Sequence, residues 1–179
     1  MKVDKIMVRE VWQCGPLATL RDVASMMHQG GCGWIPVVDS QGRVQGVITD
    51  RDIARVAGET DKPLSELCAG DAMTTGVISC RAGDLVEDAA ALMASKRVRR
   101  IAIEDSDGCL GGVLSIDDLA VLCARPGDRD IQGLPAERVI QTLADIVAPP
   151  GAAGIARRPP IDASLLNTEV SVAQSLAPG

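Results

Sequence analysis

The chain contains itself twice. Shifted by 66 positions without a gap, Met7, Val11, Cys14, Asp22, Ala24, Met27, Ile35, Asp39, Ser40, Gly42, Gly46, Val47, Asp52 and Ala54 each meet an identical residue, fourteen matches within positions 6–57. A repeat on this scale restricts the architecture more than any single motif, because both copies must adopt the same local structure. A unit of about 60 residues buries too little apolar surface to stand securely alone. The two copies are therefore expected to pack on each other about a pseudo-two-fold axis.

Each copy reads in the order β-α-β-β-α. In the first, Val11–Cys14 is an apolar stretch stopped by Gly15-Pro16, a strand followed by a turn. Thr19-Leu20-Arg21-Asp22 forms a capping box, and Leu20, Val23, Ala24 and Met27 share one face of the helix that runs to Gly30-Gly31. Trp34–Val38 and Val44–Thr49 are strands joined by the turn Asp39-Ser40-Gln41-Gly42, and a helix over Asp50–Ala57 closes the unit at Gly58. The second copy repeats this with a strand at Val77–Cys80, a helix opened by Asp84-Leu85-Val86-Glu87, a strand at Arg100–Glu104, and the same turn, strand and helix.

The fold class expected is α/β, more strictly α+β: repeat 1 over residues 1–58, a polar connector at 59–71 with a short helical stretch near Leu64–Cys68, and repeat 2 over 72–127. Within 128–150, Val139, Ile140, Leu143, Ile146 and Val147 have amphipathic helix spacing between Pro135 and Pro149-Pro150. This helix is expected to pack on the repeats or on a second subunit. Residues 151–179, rich in Ala, Pro and Ser, read as a disordered tail.

Net charge is −6, and the aromatics are two tryptophans, so neither an electrostatic footprint nor stacking platforms for nucleic acid are present. Anionic membranes are disfavoured by the same charge, and no run approaches the roughly 18 apolar residues of a membrane span. Residues 1–20 carry Asp4 and Glu10 and lack a signal-peptide core. Six cysteines without a Cys-x-x-Cys pair, and a single histidine, argue for free thiols in a reducing cytoplasm and against a zinc site.

The chemistry-bearing stretch is Gly46-Val47-Ile48-Thr49-Asp50-Arg51-Asp52, repeated as Gly112-Val113-Leu114-Ser115-Ile116-Asp117-Asp118. A hydroxyl residue opens a helix whose first turn carries acids. One reading is structural, with Thr49 and Ser115 as N-caps and Asp52 and Asp118 completing capping boxes. The other is functional, since a helix N-terminus offers unpaired N–H groups and positive dipole to an anionic or polyhydroxyl ligand. A two-metal hydrolytic centre from Asp50, Asp52, Asp117 and Asp118 is disfavoured, because each pair belongs to its own junction and no histidine accompanies it. His28, beside Met26 and Met27, is expected to be half-buried packing. Cys14 and Cys80 are repeat-equivalent; a thiol redox sensor across the pseudo-two-fold competes with small buried strand residues.

Two tandem units ending in Gly-h-h-Thr/Ser-x-x-Asp, with Ile6-Met7 and Ala72-Met73-Thr74 ahead of them and Ile35-Pro36-Val37-Val38-Asp39 in the middle, resemble a pair of cystathionine β-synthase (CBS) domains, the Bateman module. The likeness covers roughly Val3–Ala124. It implies a non-catalytic regulatory module that binds AMP, ADP, ATP or another adenosyl ligand such as S-adenosylmethionine between the repeats, with no obligatory cofactor. By the same resemblance Asp52 and Asp118 take the ribose hydroxyls, as an ionised carboxylate accepting from both can. Thr49 and Ser115 lie near phosphate, together with Arg51, Arg99 and Arg100, the last two from the basic run Lys96-Arg97-Val98-Arg99-Arg100. The adenine walls are Val8, Val11, Trp12, Cys32 and Gly33 in the first unit, and Thr74, Val77, Ile78 and Val98 with Arg99 in the second. Asp117 and Asp118 add negative charge to the second cleft that a bound Mg²⁺ would soften. The family also implies a homodimer and an effector reached in trans. The competing classes are a ligand-free dimerisation scaffold and the redox sensor.

Overall fold

The computed structural model describes residues 1–124 and 134–148. The expected tail at 151–179, Pro149-Pro150 and the start of the 128–150 segment lie outside the described residues.

Helix α1 (Leu20–Gly30) begins where the Thr19 hydroxyl accepts the Asp22 N–H at 3.1 Å, and it stops at Gly31, whose φ of 57° only glycine adopts without cost. Its buried face is Leu20, Val23 and Met27. Strands β1 (Trp34–Val38) and β2 (Val44–Thr49) form an antiparallel hairpin. The Asp39 carboxylate accepts from the N–H groups of Gln41 (2.8 Å) and Arg43 (3.0 Å), bonds that hold its carboxyl below the usual range, the Arg43 bond first. Helix α2 (Asp50–Glu59) follows directly, then a 3-10 turn at Leu64–Glu66 and the one-turn helix α3 (Ala69–Ala72). The second copy supplies β3 (Ser79–Arg81), α4 (Val86–Lys96), β4 (Arg100–Glu104), β5 (Leu110–Ser115) and α5 (Ile116–Ala124). Strand β4 lies between β3, parallel to it, and β5, antiparallel. Helix α6 (Ala136–Val147) packs on α4 and α5, with Leu134, Val139 and Ile146 in the second repeat's core.

Three local expectations are corrected. The strand at Val11–Cys14 reduces to one bridge, Cys14 with Val37, whereas its counterpart is the strand β3. The causes are Pro16 and Pro36: their equivalents Ala82 and Ala102 donate to the Glu104 carbonyl at 3.0 Å and the Ile78 carbonyl at 3.1 Å, bonds proline cannot make. Asp84 does not open α4. The N-cap is Leu85, the counterpart of Thr19, with no side-chain cap, and Asp84 instead accepts from Arg81 N–H at 2.8 Å. His28 is exposed rather than half-buried.

The repeats are interlocked through their leading segments. Residues 1–8 lie on the second repeat: Val3 donates to Asp84, Asp4 to Ala82, and Val8 exchanges two bonds with Val113, each at 2.9–3.0 Å. Residues 67–74 lie on the first: Ala69 donates to Ala18, Gly70 to Pro16, and Thr74 exchanges two bonds with Val47, at 2.8–2.9 Å. Every bond of one set maps onto the other by the same shift of 66, which establishes the pseudo-two-fold relation. The apolar cores are exchanged accordingly. Fully buried Val3, with Met7, joins the core of Met93, Ile101, Ile103 and Leu114, whereas Ala69 and Ala72 join that of Leu20, Val23, Ile35 and Ile48. At about 1.5–3 kcal/mol for each large aliphatic side chain buried, Val3 and Met7 make the second core dependent on its borrowed segment.

Candidate functional site

Both junction motifs close as capping boxes. Asp52 Oδ2 accepts from Thr49 N–H (2.9 Å) and Thr49 Oγ1 (2.6 Å), while Thr49 Oγ1 accepts from Asp52 N–H (3.2 Å). Asp118 Oδ2 receives Ser115 N–H (2.8 Å) and Ser115 Oγ (2.5 Å), and Ser115 Oγ accepts Asp118 N–H (3.1 Å). The structural reading of the motif therefore holds in both copies, each box contributing about 1 kcal/mol. It uses one carboxylate oxygen. Among the described residues Oδ1 of Asp52 and of Asp118 accepts no bond, and both residues are half-buried, so each acid keeps an acceptor for something else.

The interlock brings the other repeat's segment to each motif. Thr74 pairs with Val47, on the strand that ends in Thr49, and Val8 pairs with Val113, on the strand that ends in Ser115. Sequence order assigns Val8 to the first unit and Thr74 to the second; their backbone partners belong to the opposite ones. Trp12 and Cys32 meet at Gly30, where a Cβ would fall 2.6 Å from the indole Cδ1 and 3.3 Å from the Cys32 sulfur. Gly33 lies under the Asp50 carboxylate. Val11 and Val77 are half-buried, whereas Ile78 and Val98 pack against the second core.

The cations are unevenly engaged. Arg100, opposite Ser115 in the hairpin register, reaches Asp117 at 3.5 Å, an exposed pair of little energetic weight. Arg99 is exposed and its carbonyl accepts Ile116 N–H at 2.9 Å. The Arg51 side chain is exposed, and the Arg51 backbone N–H donates to Asp50 Oδ1 at 2.8 Å. Sequence reasoning missed the Asp50 contact with Gly33; the signal available was a glycine opposite an arginine in the repeat alignment.

Other chemistry is kept apart from these junctions. A cavity of about 530 Å³ beside β3 and α4 is lined by Asp84, Asp88 and Glu104 among others and shares no residue with the motifs. Burial, then the charges of Asp84 and Glu104, pushes the Cys80 thiol up to about 11, and burial raises Cys14. Cys14 and Cys80 pack into different cores. Among the described residues no three acidic, histidine or cysteine side chains converge as a metal centre would, and no helix is long and apolar enough to cross a membrane.

The chain belongs to the CBS-domain family, whose model matches residues 3–59 and 69–124, one match for each repeat. It is 37% identical over 123 residues to the CBS domain-containing protein YhcV of Bacillus subtilis, covering 66% of this chain and 83% of that one. The solved CBS domain protein TA0289 from Thermoplasma acidophilum, of unknown function, superimposes with a TM-score of 0.65 at 21% identity, covering 81% of this chain and 75% of that one. CBSX2, solved in complex with AMP, gives a TM-score of 0.58 at 26% identity over 66% of this chain and 92% of its own.

Proposed function

We propose that this chain is a non-catalytic sensor that binds adenine nucleotides or related adenosyl ligands at the two junctions, gripping ribose with Asp52 and Asp118. The observation that carries the reading is the unused Oδ1 on each motif acid, repeated at both symmetry-related positions beside a segment borrowed from the other repeat. AMP in the related CBSX2 structure supports the ligand class. Ser115, Arg99 and Arg100 serve phosphate at the second junction, and Thr49 and Arg51 meet the same end of the ligand at the first; Trp12, Cys32 and Gly33 in the first unit, and Ile78 and Val98 in the second, flank the base. Mg²⁺ accompanies ATP where Asp117 adds charge. Ligand binding changes the angle between repeats, a population shift of a few kcal/mol, and a homodimer passes that state to an effector in trans.

A thermal-shift panel of AMP, ADP, ATP and S-adenosylmethionine tests this. A ligand at 100 times its dissociation constant adds about 2.7 kcal/mol, so the wild type should melt later and the Asp52→Ala/Asp118→Ala variant should not respond. The completed capping boxes also favour a second reading, a ligand-free dimerisation scaffold, because they give both acids a structural task. A wild type indifferent to the whole panel would select the scaffold.

A further inference from the structure

The repeats differ most where a phosphate would be placed. In the second, Arg99 and Arg100 precede β4's apolar run, and Ile116, 3% exposed, opens α5. In the first, the same positions are Gly33, Trp34 and Asp50. The room left by the missing side chain of Gly33 is taken: a Cβ there would lie 2.8 Å from Asp50 Oδ2 and 3.2 Å from its Cγ. The Asp50 backbone N–H donates to the Gly33 carbonyl at 3.3 Å, which keeps the residue beside Gly33, and the carboxylate is held through Oδ1, which accepts the Arg51 backbone N–H at 2.8 Å.

We propose that the first cleft selects an adenosyl ligand without a phosphate, neutral or cationic, whereas the second takes the phosphorylated one. This rests on the adenosyl-binding reading above and concerns only which ligand each cleft accepts. Where the second cleft presents a guanidinium, the first presents an anion. Around the first junction Asp50 and Asp52 outweigh Arg51; around the second, Arg99 and Arg100 balance Asp117 and Asp118. The Arg100–Asp117 pair, at 3.5 Å with 34% and 70% of the side chains exposed, is one that an incoming phosphate can replace. A single charge within about 5 Å of a phosphate, screened by solvent to an effective dielectric of about 50, changes affinity by about tenfold.

Calorimetric titration with adenosine, S-adenosylmethionine and AMP separates the clefts. Asp118→Ala, which leaves the first cleft intact, should bind adenosine and S-adenosylmethionine about tenfold more tightly than AMP. Asp52→Ala should show the opposite order. Asp50→Asn keeps the size and the Oδ1 acceptor but removes the charge; placed in the Asp118→Ala chain it should raise AMP affinity about tenfold and abolish the preference. The same substitution in the otherwise wild-type chain should turn one AMP site per chain into two at a given AMP concentration, a readout independent of the alanine variants. AMP binding as tight as adenosine in Asp118→Ala, or a ratio unmoved by Asp50→Asn, overturns the assignment while leaving the adenosyl-binding reading in place. Failure of the wild type to bind any of the three probes overturns both.

Discussion

Replacing Gly112 by alanine strikes the joint between the repeats. Its Cβ would sit 2.7 Å from the Val8 carbonyl oxygen and 3.1 Å from Met7 Sδ. The carbonyl is backbone and is itself held by Val113 N–H at 2.9 Å, so the leading segment must withdraw. Losing the two Val8–Val113 bonds costs about 1–3 kcal/mol at roughly 0.5–1.5 each. Repacking around Met7 adds about 1 kcal/mol, and the lower chain entropy of alanine returns about 0.5–1. The net expectation is a destabilisation of about 1–3.5 kcal/mol, read as a lower urea midpoint in equilibrium unfolding. Gly46→Ala should cost less, by about 1 kcal/mol, because the atoms nearest its Cβ are Met73 Sδ (2.5 Å) and Cγ (2.8 Å), which can swing aside, and the Thr74 carbonyl is 3.0 Å away. Gly83→Ala, with nothing within 4 Å, is the control and should unfold with the wild type or later. If Gly112→Ala shares the control's midpoint, the exchanged segment does not carry the load argued for it.

Asp52→Ala or Asp118→Ala should each lower stability by about 1 kcal/mol in the absence of ligand, the value of a capping box; an unchanged melting temperature would mean the caps contribute nothing. On α6, Val139→Ala, at 5% exposure, should cost about 1.5–3 kcal/mol, whereas Ile140→Ala, at 69%, should stay within about 0.5; equal urea midpoints would deny that α6 is part of the second core. Cys80 gives a pH signature. Its thiol ionises near 11 in the folded chain against an ordinary value of 9.0, so its contribution is complete below about pH 9 and disappears as pH rises towards 11. The wild type should therefore lose more stability than Cys80→Ser between pH 9 and 11; parallel curves from the two proteins would count against the buried thiol.

The elements that depend on local chemistry were legible from residues alone. Asp39 and Gly42 announce the hairpin turn, Thr19 and Gly31 bound α1, and the Thr49–Asp52 and Ser115–Asp118 spacings announce their boxes. What stayed hidden depends on tertiary placement. No pattern in Val3–Val8 says which repeat's edge it joins, since either strand offers the same backbone groups and the same apolar positions. The motif glycine reads as the start of a strand, yet its absent side chain makes room for Met73 at Gly46 and for Val8 at Gly112. Repeat alignment did contain the correct start of α4, because Leu85 stands where Thr19 stands, but a nearby Asp-x-x-Glu drew the cap to Asp84. At the candidate site, residue types were readable and the lean of Asp50 over Gly33 was not, because it is set by a side-chain rotamer and one backbone bond.

During synthesis the crossed leading segments impose an order of events. Residues 1–8 leave the ribosome long before the strand they pair with and have no seat until Val113 has followed, and the first repeat must wait for Thr74 before its own sheet edge is covered. A nascent chain halted between the two copies would thus hold one apolar leader without a dock and one half without its lid. Expressing either half by cutting in the connector between Thr60 and Leu67 would reproduce that stalled state permanently, whereas a fusion that returns each leader to the half it covers would release it.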